Sequence, residues 1–85
     1  MEEQIEEFLE NEFEFIKFTV KYAKLRTYNI KCELLINDKG TNKLIRTDFD
    51  YNWSAHSTTQ ANLGQIKFYV NKAVKKMFER EKKYE

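Results

Sequence analysis

The residue types of a hydrolytic triad lie close together in the second half of the chain. His56, the only histidine, stands between Ser54 and Ser57, and Asp48 and Asp50 precede it. These residue types supply the nucleophile, the general base and the orienting carboxylate of a hydrolytic triad. However, neighbours in sequence rarely converge on one reacting atom, and the segment has no glycine-rich turn that would expose a nucleophilic serine. We therefore interpret His56 as a solvated loop residue and expect that the protein is not an enzyme.

Cys32, the only cysteine, cannot form an internal disulfide or a cysteine-rich zinc site. Apolar residues at alternate positions around it predict burial, and a buried cysteine behaves as a small apolar side chain. The glutamates near the start of the chain are consecutive solvated carboxylates with no further ligands fixed beside them. No phosphate-binding loop, dinucleotide fingerprint or paired-histidine zinc motif occurs. The sequence thus predicts no catalytic residue, no metal and no cofactor.

Length and composition favour a small globular protein. The 85 residues suit one domain, residues 1–85, and an aromatic content of 15% offers large rings for a thin core. No apolar run is long enough to span a membrane, and the acidic start does not resemble a secretory signal. We therefore expect no membrane contact and a cytoplasmic location, in the host cytoplasm if the source is viral. Abundant Lys, Asn, Ile, Phe and Tyr, with no Pro, indicate an AT-rich genome.

The hydrophobic period changes along the chain from that of a helix to that of a strand. Residues 2–12 carry apolar side chains on one helical face, namely Ile5, Phe8 and Leu9. Three later segments alternate apolar and polar residues and predict strands with one buried face: 15–23, 27–37 and 43–53. Placing Phe18 opposite Cys32, and Cys32 opposite Thr47, puts the apolar faces on one side of the sheet. The same register places opposite charges across the other side.

A polar connection leads to a second, longer helix that ends near residue 82. Ser57 is the predicted N-cap, with Gln60 reaching back to complete a capping box. Gly64, near the start of this helix, is expected to allow close packing on the sheet. The apolar stripe of the helix consists of Leu63, Ile66, Val70, Ala73, Val74 and Met77. The predicted fold is therefore α+β, a three-stranded antiparallel meander with an N-terminal and a long C-terminal helix on one face, in the order α-β-β-β-α.

Three groups of side chains are candidates for contacts with a partner. The acidic face of the first helix consists of Glu3, Glu6, Glu7 and Glu10. An apolar stripe on the outer face of the sheet, with an aromatic edge where the third strand ends, consists of Phe15, Leu35, Leu44 and Trp53. The basic face of the second helix consists of Lys67, Lys72, Lys75 and Lys76. Each group has a plainer interpretation as ordinary solvated surface. The aromatic edge, which Trp53 shares with Tyr22, Tyr28 and Tyr51, is alternatively core whose tyrosine hydroxyls reach water.

The favoured hypothesis is a protein-binding module without catalysis. Small proline-free domains from AT-rich genomes are typical of phage and mobile-element proteins, many of which inhibit a host nuclease, polymerase or antiviral complex. Some anti-CRISPR proteins are similar in size and in their helix–sheet–helix build, although a fold does not determine a function. Segregated charge would steer the acidic face onto a basic partner. The expected partner is a host protein or nucleoprotein complex, and the chain itself is expected to be a monomer or a homodimer.

The alternative hypothesis is a nucleic-acid-binding domain. The order α-β-β-β-α resembles that of double-stranded-RNA-binding domains, which recognise the shape and backbone of A-form helices. In that family a basic cluster at the start of the second helix grips phosphates, whereas residues 58–62 of this chain contain no lysine. The family's Gly-Pro-x-His-type loop is also replaced, by Ala-Lys-Leu-Arg-Thr at residues 23–27. On this hypothesis the lysines of the second helix would follow the phosphate backbone.

Overall fold

The computed structural model describes residues 1–83, and it describes their side chains except those of Asp38 and residues 80–83. Five elements follow one another in the order α-β-β-β-α, which confirms the predicted fold class. They are α1 (Glu2–Glu12), β1 (Ile16–Lys24), β2 (Thr27–Asp38), β3 (Thr41–Asn52) and α2 (Thr59–Lys83). Every strand boundary lies within two residues of its predicted position.

The three strands form an antiparallel sheet in the order β1-β2-β3. The predicted register is confirmed, since Phe18 lies opposite Cys32 and Cys32 lies opposite Thr47. Between β2 and β3 the chain reverses through Lys39 and Gly40, whose φ angles are 53° and 83°. Two successive positive φ angles give a turn whose twist matches the twist of the flanking strands. This turn therefore holds the β2–β3 register over its whole length.

Both helices pack on one face of the sheet and enclose a single core. Ile5 and Leu9 come from α1, and Ile66 and Val70 come from α2; all four side chains are fully buried. The sheet contributes the inward-facing side chains Phe18, Val20, Ile30, Cys32 and Tyr51. Burial of an apolar side chain of this size stabilises a fold by roughly 1.5–3 kcal/mol. The opposite face of the sheet carries no helix in the described part of the chain, so its side chains are open to contacts with a partner.

The second helix begins one residue later than the sequence predicted. Thr58 is its N-cap, because Thr58 Oγ1 accepts a hydrogen bond from the Ala61 N–H at 3.0 Å. The prediction that Ser57 caps the helix is therefore wrong. Ser57 is held in the preceding loop, where its N–H donates to Ser54 O at 3.4 Å and its carbonyl oxygen accepts from Asn62 Nδ2 at 3.5 Å. Serine and threonine both cap helices well, so the local sequence does not distinguish the two positions.

Gly64 lies on the exposed side of α2. Apart from its chain neighbours and the backbone of its own helix, a Cβ atom built at this position would meet nothing within 4 Å. The expectation that Gly64 allows close packing on the sheet is therefore wrong. Since nothing in the described structure requires a glycine here, the residue weakens the helix through its backbone entropy alone.

Replacing Gly64 by alanine is expected to raise the free energy of unfolding by about 0.5–1 kcal/mol, because alanine loses less backbone entropy in a helix. Urea denaturation should show a higher midpoint with an unchanged slope. Gly40→Ala is the matched control: Gly40 also has open space around it, but its φ of 83° strains any L side chain. The control should be destabilised. Stabilisation of both variants, or of neither, would contradict the prediction.

Candidate binding surfaces

The outer face of the sheet carries an apolar groove at the end where β1 begins. Leu35 of β2 lies opposite Leu44 of β3, and Phe15 immediately precedes β1. Phe15 is 83% exposed, Leu35 63% and Leu44 44%. All three side chains line one surface groove of about 520 Å³. The structure thus brings together the three residues of the predicted apolar stripe, which we call the Phe15 groove.

Acidic side chains form much of the rim of the Phe15 groove. Glu10 and Glu14 border it on the side of α1, and Glu33 of β2 borders it within the sheet. Glu33 is partly neutralised, because its carboxylate lies 3.9 Å from the guanidinium of Arg46 on the neighbouring strand. Lys17 also lines the groove. The side toward α1 is therefore the more negative one.

The acidic face of α1 is narrower than the sequence suggested. Glu3, Glu7 and Glu10 are exposed and lie at i, i+4 and i+7, so they share the side of the helix that faces away from the core. Glu6 is different: its Oε1 accepts a hydrogen bond from the Val20 N–H at 2.8 Å. This carboxylate therefore satisfies the hydrogen-bonding need of a backbone N–H at the outer edge of β1. We call Glu3, Glu7 and Glu10 the acidic ridge.

A smaller apolar hollow of about 270 Å³ adjoins the Phe15 groove on the helix side of the sheet. Phe15 and Ile16 line both, and Phe78 of α2 contributes to the hollow although 46% of it is exposed. The sequence analysis missed Phe78. Its position four residues after Val74 was the available signal, because that spacing extends the apolar stripe along one flank of the helix.

Trp53 lies at the opposite end of the sheet. Its backbone N–H donates to Arg26 O at 2.6 Å. The centroid of its ring lies 6.2 Å from that of Tyr28 and 6.5 Å from that of Tyr51. Tyr22 lies at the same end as Trp53. It is six positions along β1 from Ile16, which lines the Phe15 groove, and six positions of strand span about 20 Å. Trp53 and the Phe15 groove are therefore separate surfaces.

Asn62 is a buried polar residue that the sequence analysis missed. Only 1% of it is exposed, and its Oδ1 accepts hydrogen bonds from the Tyr51 hydroxyl at 2.8 Å and from the Ser54 N–H at 2.9 Å. Its Nδ2 donates to Ser54 O at 3.1 Å and to Thr58 O at 3.0 Å. The Tyr51 hydroxyl thus ends on a buried amide instead of reaching water. The available signal for its burial was its position four residues before Ile66, which places Asn62 on the same helical face as the apolar stripe.

The four lysines proposed for nucleic-acid binding do not form one patch. Lys67 faces α1, where its Nζ lies 2.9 Å from Glu12 Oε2. Lys72 and Lys76 instead line a groove between α2 and β3. Lys72 also places its Nζ 4.6 Å from the centroid of the Phe68 ring, a cation–π contact. Lys75 is exposed. Of the four, Lys72 and Lys76 line the same groove, and Lys75 lies three residues from Lys72 on the exposed surface of the helix.

The residues considered for a hydrolytic triad have other contacts. Asp48 and Asp50 accept hydrogen bonds from Asn29 Nδ2 at 3.0 and 3.1 Å on the outer face of the sheet. His56 is exposed in the loop before α2. Cys32 is fully buried, as predicted, and burial raises the pKa of its thiol to about 12, with a smaller contribution from the Asp48 carboxylate. Its sulfur therefore stays protonated at neutral pH.

Among the described residues, no helix has the length and apolarity that crossing a membrane requires, and no cluster of three or more His, Cys, Asp or Glu side chains could hold a metal ion. Comparison with protein-family models gave no match, and comparisons with curated proteins and with solved structures gave no significant one.

Proposed function

We propose that this protein is a non-catalytic binding module that docks onto a basic protein surface through the Phe15 groove and the acidic ridge. The observation that carries the proposal is the convergence of Phe15, Leu35 and Leu44 on one groove although each is substantially exposed. Exposed apolar side chains are ordinary when they are scattered, whereas a contiguous patch with a polar rim is typical of an interaction site. Phe15 is the natural anchor, because aromatic side chains dominate interface energetics.

The charge around the groove restricts the kind of partner. Glu10 belongs to the acidic ridge and also borders the Phe15 groove, so the two surfaces are continuous. A complementary partner presents an apolar side chain next to lysines or arginines. The acidic ridge would accelerate association with such a partner and make the rate dependent on salt.

Basic surfaces of this kind are common on proteins that bind nucleic acids, since phosphate contacts require lysine and arginine. We therefore assign the protein the role of an inhibitor that covers such a surface on a host nucleic-acid-processing or antiviral-defence protein, for example of the CRISPR type. The small size, the segregated charge and an amino-acid composition that indicates an AT-rich genome support a phage or mobile-element origin. The partner's identity is the direct test of this assignment.

Phe15→Ser is expected to weaken partner binding by at least tenfold, because it removes the most exposed anchor of the groove. The immobilised chain would first be used to capture partners from a lysate of a low-GC bacterium, with and without nuclease. Affinity would then be measured with the purified partner. Leu25→Ser is the matched control, since Leu25 is 80% exposed in the β1–β2 turn at the other end of the sheet. The control should bind like the original chain.

Charge reversal tests the acidic ridge separately. Glu3→Lys, Glu7→Lys and Glu10→Lys together should abolish binding while the circular-dichroism spectrum stays unchanged. Asp48→Lys and Asp50→Lys, on the outer face away from α1, are the control for a general charge effect. Binding that survives both Phe15→Ser and the ridge reversal would reject the proposed surface. Recovery of nucleic acid alone, with every protein lost after nuclease, would favour the nucleic-acid hypothesis instead.

A further inference from the structure

We propose a second binding site at the free edge of β3, where an extended peptide segment with acidic side chains on its inward side adds a fourth strand between β3 and α2. This inference does not rest on the Phe15 groove, which lies on the outer face of the sheet. It rests on three features of the described residues: an unpaired strand edge, a groove beside that edge, and two lysines on the wall of the groove.

The two edges of the sheet differ in how they are covered. Because the strand order is β1-β2-β3, both β1 and β3 are edge strands in the described part of the chain. At the β1 edge, α1 packs on the strand and Glu6 Oε1 accepts the Val20 N–H at 2.8 Å. β3 pairs with β2 on one side only. An exposed edge with free backbone groups is a template for another strand.

The register identifies the backbone groups of β3 that point outward. The Val20 N–H points away from β2, because it donates to α1, so the Val20–Ile30 pair is not directly hydrogen-bonded. In an antiparallel ladder the backbone N–H and C=O groups of Ile30 must then point toward β3, where Ile30 lies opposite Phe49. The backbone groups of Phe49 therefore point back toward β2, and those of its two neighbours along the strand point the opposite way. The N–H and C=O groups of Asp48 and Asp50 therefore point toward the free edge.

A groove runs along this edge with a volume of about 510 Å³. Residues 47–52 of β3 form one side, and α2 forms the other. At one end the groove has an aromatic floor, since the Tyr69 ring centroid lies 6.2 Å from that of Phe49 and 6.1 Å from that of Tyr51. Backbone pairing with β3 would supply affinity here, while alternate side chains of the added strand would meet α2.

The wall of the groove selects acidic side chains. Lys72 and Lys76 both line it, one helical turn apart, which corresponds to about 6 Å along the axis of α2. Alternate residues of a strand are spaced by about 6.8 Å. Two carboxylates at positions i and i+2 of the added strand thus match the spacing of the two lysines, and in a strand antiparallel to β3 an apolar residue at position i−2 would meet Tyr69. The outward residues of the segment would lie beside the carboxylates of Asp48 and Asp50, which favours lysine there.

The same lysines argue against a second copy of this chain as the occupant. Antiparallel pairing of two β3 edges would join the sheets with both α2 helices on the same face. Lys72 and Lys76 of each copy would then face their counterparts, a like-charge arrangement that costs free energy. A separate acidic segment has no such penalty. The edge and its lysines therefore favour a peptide ligand over self-association.

The test uses two synthetic peptides of identical composition and the isotope-labelled protein. Acetyl-Thr-Val-Lys-Glu-Lys-Glu-Thr-amide places valine and both glutamates on the inward side, whereas acetyl-Thr-Val-Glu-Lys-Glu-Lys-Thr-amide places both lysines there. Titration should shift the amide NMR signals of Asp48, Asp50 and the α2 wall with the first peptide. The Val20 signal, on the covered edge, should stay in place. The second peptide should bind at least tenfold more weakly.

Charge reversal on α2 supplies the decisive comparison. The double variant Lys72→Glu, Lys76→Glu should prefer the second peptide, since its glutamates would face the inward lysines of that peptide. Both positions are exposed, so we expect the variant to fold. Equal binding of both peptides, or shifts confined to other surfaces, would overturn the proposal. So would shifts of Asp48 and Asp50 on dilution without any peptide, which would identify a second copy as the occupant. Shifts of α2 alone on adding a single-stranded RNA decamer, with neither peptide binding, would assign the lysines to nucleic acid.

Discussion

Replacement of Asn62 by alanine is expected to lower the free energy of unfolding by about 3 kcal/mol, a large fraction of the stability of so small a domain. Asn62 is 1% exposed and links the end of β3, the following loop and the first turn of α2. Alanine would leave the Tyr51 hydroxyl and the Ser54 N–H without their acceptor in a region that water hardly reaches. Buried groups without partners incur the full desolvation cost.

Urea denaturation followed by circular dichroism would measure this loss. Tyr51→Phe is the matched control, because it removes one hydrogen bond to Asn62 Oδ1 while the Ser54 N–H keeps the same acceptor. We expect that control to lose only about 1 kcal/mol. A double-mutant cycle between the two positions should give a clear coupling energy. If Asn62→Ala were no worse than Tyr51→Phe, the amide would not be organising the loop.

Alkaline pH is expected to destabilise the protein through Cys32 before it acts through Tyr51. Burial raises the pKa of the Cys32 thiol from its ordinary 9.0 to about 12, so the folded state keeps a proton that the unfolded chain releases. The stability from this group is fully present below pH 9 and is lost as the pH rises from 9 to 12. The loss is about 1 kcal/mol between pH 9 and 10, and about 3 kcal/mol between pH 9 and 12.

The comparison with Cys32→Val isolates the thiol, because valine preserves a small apolar side chain at this fully buried position. Unfolding free energies of both proteins would be measured at pH 8, 9 and 10. The difference between the two proteins should change by about 1 kcal/mol between pH 9 and 10. Burial also raises the pKa of Tyr51 from its ordinary 10.0, so the loss of stability through that group begins near pH 10, about one pH unit above the onset for Cys32. Parallel pH profiles would show that Cys32 ionises freely in the folded state.

A thiol-reactivity measurement gives an independent check of the same burial. Native protein at pH 8 should react with a chromogenic disulfide far more slowly than protein in denaturant, because the thiolate is the reactive form.

The two candidate surfaces were predictable to different degrees. The Phe15 groove followed from alternation along the strands: once Cys32 lies opposite Thr47, Leu35 must lie opposite Leu44 on the outer face. The groove beside β3 was not predictable. It depends on how far α2 lies from the edge of the sheet, and no local pattern in the sequence encodes that distance.

The sequence by itself determined the five elements, their order and the register of the sheet. Each of these depends on local period and on turn chemistry; Gly40 in the β2–β3 turn and the inward position of Cys32 are examples. A one-residue slip would have exposed every apolar side chain of a strand, so the pattern allowed a single solution. The inward and outward sides of the sheet were thus settled before any tertiary contact was known.

Only the tertiary structure decided the roles of individual polar side chains. Glu6 resembles its neighbours in sequence, yet it alone among the four proposed acidic residues is shown to accept a hydrogen bond from β1, fourteen positions away. Asn62 joins Tyr51, eleven positions away, and so organises the loop before α2. Lys67 pairs with Glu12, whereas Lys72 and Lys76 face β3. These choices depend on which groups meet when helices settle on the sheet, because a hydrogen bond needs a partner within about 3 Å whatever its separation along the chain.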